Sequence, residues 1–217
     1  MRKATRSPRR NAPLSRERIV TAALDLIEND GLDAFSTRSL GRALHCEAMS
    51  IYHFFPSKQH LMDALVDRVI GEFEFPDESL PALERLRRAC HGYRAMAHRH
   101  PNIFPVVAVH RLNTEKGVRF IERLLRITRE ITGDDELAAR HFRTIGYYLM
   151  GTGLDETSGY AKGPSAAEPV TEDFIARECP QLVRSARFFG RNEWDRTFEL
   201  GLESMLAGLA PKARKPR

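Results

Sequence analysis

No apolar run in this chain approaches the roughly 20 residues that a bilayer-crossing helix needs. The N-terminus, MRKATRSPRRNAP, also lacks the apolar stretch of a signal peptide. A soluble, cytoplasmic protein with no membrane partner is the expectation. The three cysteines, Cys46, Cys90 and Cys179, are odd in number and far apart, which excludes a CxxC metal site and argues against a disulfide framework. GxSxG, HExxH and phosphate-binding glycine loops are absent too. An enzyme would have to use a core histidine such as His98, His100 or His110, and none is expected. His98 and His100 flank Arg99, a spacing that keeps them off one helical face and argues against a zinc pair.

Acidic residues are scarce at both ends. Residues 1–18 hold seven Lys/Arg against Glu17, and residues 209–217 hold four with no acid, so of the net +5 nothing is left for the middle, which is acidic. Being basic is a property of the ends. Such tails are solvated segments, and the N-terminal one has phosphate contact as its alternative.

Helical periodicity begins at Ser15, a cap residue followed by Glu17. Ile19, Ala22, Ala23, Leu26 and Ile27 then recur at helical spacing before Gly31. Ser36 caps a second helix, about Thr37 to Leu44, with Phe35 and Leu40 placed as a hydrophobic staple. After His45 to Glu47 a third short helix runs to about Phe54, and Ser57 caps a fourth through Leu61, Leu65 and Val69. Two short helices joined by about three residues form a helix-turn-helix module. With Ile51 and Phe55 packed beside Leu40 and Leu44, the side chains of Ser50, Tyr52 and His53 face outward. There a phenol and an imidazole can bond phosphates or base edges. Lys58 starts the fourth helix, where its charge adds to the free N–H groups that attract a phosphate.

The stretch FSTRSLGRALHCEAMSIYHFFPSKQHLMDAL resembles the DNA-binding domain of the TetR family of bacterial transcriptional regulators. Cap Ser36, Arg38, Leu40, Leu44, Ile51, Tyr52, Phe55 and Lys58 stand at the family's cap, arginine, core, tyrosine and lysine positions. His45 replaces the usual turn glycine and Glu47 the frequent Ser or Thr cap, so a left-handed His45 is expected. The resemblance implies base reading by Ala48, Met49, Ser50 and His53, with apolar contact to thymine methyls.

From about Leu80 the pattern stays helical, without period-two strands or internal repeats. Val118, Ile121, Leu124, Leu125, Thr128 and Ile131 line one face of a helix. Asp134 or Asp135 starts another through Thr152, in which Gly146, Gly151 and Gly153 suggest close backbone approach. SGYAKGPSAAEPVT reads as a mobile loop, and a last helix spans Trp194 to Leu209. IGYYLMGTGLDET and FFGRNEWDRTFELGLESMLAGL resemble the regulatory domain of the family's tetracycline-responsive branch. That likeness implies a homodimer paired through the last two helices, with Tyr148, Thr152, Phe198, Leu202, Met205 and Leu206 at the interface; an intrachain core is the alternative. It also implies an unidentified small-molecule effector, and the candidate lining residues are Met96, His100, Phe104, His110, Tyr147, Met150 and Asp155. In that branch histidine helps to hold a magnesium ion with the drug. His110 is offset from the aligning position, so no metal or other cofactor is expected.

The expected architecture is therefore all-α. It has a basic disordered arm at 1–14, a helix-turn-helix domain at 15–58, a helical ligand-binding and dimerisation domain at 59–210, and a basic tail at 211–217. The implied function is a repressor of a double-stranded DNA operator, released by its effector. A helical protein-interaction module without DNA binding is the rival reading.

Overall fold

The computed structural model describes residues 13–158 and 166–209, and every regular element among them is helical. The expected basic tail, residues 1–12 of the expected basic arm and residues 159–165 of the expected mobile loop lie outside the described residues. The chain divides into two compact units between Arg68 and Val69. That division falls inside the fourth helix, ten residues beyond the Lys58 boundary expected from sequence.

The first unit holds α1 (Arg16–Asp30), α2 (Thr37–Leu44), α3 (Ala48–Tyr52) and most of α4 (Lys58–Ile70). Ser15 Oγ accepts from Arg18 N, and Gly31, at φ +84°, closes α1 by donating its N–H to Ile27 O. The buried stripe of α1 is Ile19, Val20, Ala23, Leu24 and Ile27. It is rotated from the expected one, so that Ala22 and Leu26 are only half-buried. Ser36 and Ser39 cap α2 reciprocally, each hydroxyl accepting from the other's backbone N–H at 3.0 and 2.9 Å. Phe35, Leu40, Leu44, Ile51, Phe55, Leu61 and Leu65 are buried.

The second unit contains α5 (Ala82–Arg99), α6 (Phe104–Val109), α7 (Glu115–Thr132), α8 (Asp135–Ser158), α9 (Glu172–Glu178), α10 (Pro180–Ser185) and α11 (Trp194–Ala207). Leu86 and Cys90 of α5, Ile127 of α7, Ile145 and Leu149 of α8 and Phe198, Leu202 and Leu206 of α11 share one core. Each large aliphatic there contributes roughly 1.5–3 kcal/mol by leaving water. On α7 the buried residues include Phe120, Ile127 and Thr128. The expected Val118 instead faces solvent, because the core lies nearer the line through Phe120 and Ile127. Asp134 caps α8 by accepting from Leu137 N at 2.8 Å. Of the three α8 glycines only Gly153 is crowded; a Cβ on Gly146 or Gly151 would meet nothing within 4 Å. The α9 and α10 helices, which the sequence did not announce, bury no residue within their own chain. Among the described residues no helix is long and apolar enough to cross a membrane.

Candidate functional site

The helix-turn-helix surface is built by the turn between α2 and α3. His45 sits at φ 56°, ψ 43°, in the left-handed region that a glycine would occupy at less cost. The turn also constrains Gly41, where a Cβ would lie 2.8 Å from Cys46 O, so α2 and the turn can approach only because that side chain is missing. Glu47 gives α3 no side-chain cap, and α3 ends at Tyr52, two residues earlier than expected. The chain then turns, with the N–H groups of Phe54 and Phe55 both donating to Ile51 O.

This short helix sorts its side chains as its spacing requires. Ile51 and Phe55 are each 1% exposed, whereas Met49 is 69% exposed and Tyr52 and His53 also face solvent. Ala48 and Ser50 are half-buried, and Arg38 is exposed on α2. Ser36 is committed to its cap. Lys58 is exposed at the start of α4, with its ammonium 5.9 Å from the Phe35 ring centroid. Ser57 Oγ accepts from His60 N at 3.4 Å. A residue the sequence reading missed, Arg16, donates to Phe54 O and lays its guanidinium 4.2 Å from the Phe55 ring centroid. It braces the end of the exposed helix from α1.

The second unit encloses a cavity of about 440 Å³, within the range of small-molecule sites. Phe73, Tyr93, Phe120 and Phe142 supply aromatic walls, and Leu86, Cys90, Leu124, Ile145 and Leu149 supply the rest of the apolar surface. Phe73 and Phe120 meet edge to face at 5.1 Å. Burial pushes the Cys90 thiol up to about 12, so that side chain is an inert part of the wall. Its polar groups are few. They are His110, Arg143, the Tyr93 phenol and Thr128, whose hydroxyl donates to Leu124 O at 2.8 Å.

Of the residues expected to line a ligand site, His110 and Met150 do so and five do not. Met96 and Phe104 are fully buried packing residues of α5 and α6, and Phe104 lies edge-on to Tyr93 at 5.7 Å. His100 is buried with its Nε2 2.8 Å from Glu72 Oε2. Tyr147 points outward, its hydroxyl accepting from Arg143 Nε at 2.8 Å. Asp155 lies beyond the cavity near the end of α8, its Oδ1 buried without a hydrogen bond. Burial raises the pKa of that carboxyl, and Glu156 beside it adds to the rise. Arg143, Gly146 and Met150 fall at i, i+3 and i+7 on α8, so helical spacing from Met150 was the signal available for the missed ones. Magnesium prefers oxygen ligands, and a wall whose described residues include one imidazole and no carboxylate does not suit it.

The expected dimer residues divide by burial. Phe198, Leu202 and Leu206 are at most 2% exposed within their own subunit and have no surface left to offer. Tyr148 is turned toward α11, donating to Phe198 O at 2.7 Å and stacking on the Phe198 ring. A Cβ on Gly201 would come 2.5 Å from its hydroxyl, so the glycine permits this contact. Thr152 and Met205 are half-buried. Tyr147, Thr144 and Gly151 on α8, and Leu200, Ser204 and Ala207 on α11, are exposed.

Two family models match the chain. One described as bacterial regulatory proteins of the tetR family covers residues 19–65, and one described as the tetracyclin repressor-like C-terminal domain covers residues 76–213. A class D tetracycline repressor protein of Escherichia coli is 27% identical over 215 residues, spanning 91% of this chain and 89% of its own. An HTH-type transcriptional regulator of Saccharopolyspora erythraea is 26% identical, spanning 92% of this chain and 86% of its own. The crystal structure of the TetR family protein ActR of Streptomyces coelicolor in complex with actinorhodin superposes at a TM-score of 0.74. It is 30% identical and covers 91% of this chain and 97% of that one. The chain belongs to the TetR family of bacterial regulatory proteins.

Proposed function

We propose that this protein is a cytoplasmic, homodimeric transcriptional repressor that binds an operator through α3 and is released by a small molecule held in the cavity of the second unit. The observation that carries the DNA-binding part is the sorting of α3 and its C-cap, where Ile51 is sealed in and Met49, Tyr52 and the capping His53 stand in solvent. Two exposed large side chains on a five-residue helix, with His53 exposed just past its end, suit a major groove that presents methyl groups and hydrogen-bonding edges. The effector part is supported by the aromatic cavity and by ligand-bound ActR, a relative of similar length.

Release is a population shift. A dimer must hold its two recognition helices about 34 Å apart, or a multiple of that, to enter successive major-groove faces. A ligand that binds a differently spaced state better draws molecules away from DNA in proportion to its preference. The test is a mobility-shift titration with the DNA upstream of the protein's own gene, at fixed salt. Saturable binding of one dimer that weakens steeply with added salt is the expected result. Equal affinity for that DNA and for random duplex would remove the operator from this reading.

A further inference from the structure

We propose that the effector is an aromatic acid, its ring system held among Phe73, Tyr93, Phe120 and Phe142 and its carboxylate, or an equally acidic hydroxyl, paired with Arg143. This rests on the reading of the cavity as the effector site and adds the charge of what enters it.

The cavity wall has a one-sided inventory of ionisable groups. His110, Arg143, Tyr93 and Cys90 line it, and among the described residues no aspartate or glutamate does. Arg143 lines the cavity yet remains exposed, which puts it at the opening. Among the described residues it pairs with no carboxylate. Its Nε donates to Tyr147 Oη at 2.8 Å and its guanidinium lies 4.9 Å from the same ring, an arrangement that fixes the head while leaving its other N–H groups available. Arg140, three residues earlier on the same helix, is by contrast matched to Glu136. A guanidinium presents paired donors that fit a carboxylate in its own plane. A cationic ligand would meet Arg143 with no acid on the wall to offset the repulsion. Tyr93 supplies a second polar contact, because its hydroxyl makes no hydrogen bond among the described residues and burial holds it protonated. A ligand oxygen further along the rings can accept from it. The apolar remainder of the wall and the width left by Gly146, which has nothing within 4 Å of a would-be Cβ, suit a flat ring body.

The test uses the full-length protein and three probes with one ring system and different heads: 2-naphthoate, 2-naphthylmethanol and 2-naphthylmethylamine. Calorimetric titration is run on the native protein and on Arg143→Gln and Arg143→Lys. The acid is expected to bind at least about fivefold more tightly than the alcohol, with the amine weakest. Arg143→Gln should erase the advantage of acid over alcohol without weakening the alcohol, Arg143→Lys should keep part of it, and added salt should reduce it. If alcohol and acid bind alike, or the advantage survives in Arg143→Gln, the acid is wrong and the cavity still stands as an effector site. If none of the three binds, the cavity reading fails and this inference with it.

Discussion

The β-carbon that Gly153 lacks would fall 2.4 Å from a ring carbon of Phe104. Phe104 is fully buried and cannot swing away, so here a helix interior accepts glycine in order to bring α8 against α6. Gly146, two turns earlier, has open space beside it because it faces the cavity. Opposite outcomes are expected on adding one methyl group. Gly153→Ala should destabilise by roughly 1–3 kcal/mol through overpacking, whereas Gly146→Ala should stabilise by up to about 1 kcal/mol through helix propensity. Urea titrations of both variants measure the difference, and equal shifts would show that the Phe104 contact is not tight.

The exposed positions of the helix-turn-helix separate by role. Lys58→Ala should weaken binding to every duplex alike and lower the salt slope by about one. Met49→Ala and His53→Ala should change which base is preferred, at roughly 1–3 kcal/mol per well-made contact. Binding measured to an operator set varied one base at a time, at two salt concentrations, distinguishes them. A change in base preference from Lys58→Ala would reverse the assignment.

The first unit could be read from sequence because its signals are local. Ser15 and Ser36 cap, Gly31 stops a helix, and a five-residue helix with an apolar residue at Ile51 can turn only one side inward. Even the left-handed His45 follows from its place at a helix end. The second unit could not be read in the same way, since which stripe of a long helix is buried depends on partners distant in sequence. Phe198 and Leu202 have the spacing of an interface and the burial of a core, and only the packing of α5 and α8 against α11 decides between them. The same holds for Met96 and Phe104, whose residue types suit a ligand wall but whose neighbours fill it. Arg16 escaped notice because its partners lie 38 and 39 residues away.

Asp155 makes stability depend on pH in a known direction. Burial raises its folded pKa above the unfolded value, so the folded state holds the proton more tightly. Below the unfolded value, about 3.9, both states are protonated and nothing is lost. As pH rises through that value and then through the raised one, the unfolded chain gains ionisation free energy first and the fold loses stability. Asp155→Asn should therefore raise the melting temperature at pH 7, and the gain should shrink toward zero as the pH is lowered to about 4. A pH-independent gain would assign the effect to something other than the charge.

Leu200 and Leu202 sit two residues apart on α11 and separate assembly from folding. Leu202 is fully buried in its own subunit, and Leu200 is 73% exposed beside the small residues Ser204 and Ala207. An outward stripe of this kind lets two helices approach closely, and Gly151 on α8 adds a second gap with nothing within 4 Å of its would-be Cβ. Leu200→Arg places a charge on this stripe, where a homodimer paired through α8 and α11 would meet, while leaving the core untouched. It should yield folded monomers in sedimentation at micromolar protein, with normal helical circular dichroism and lost operator binding. Leu202→Ala should lower stability by roughly 2–5 kcal/mol. A dimer that survives Leu200→Arg unchanged would move the interface to another surface.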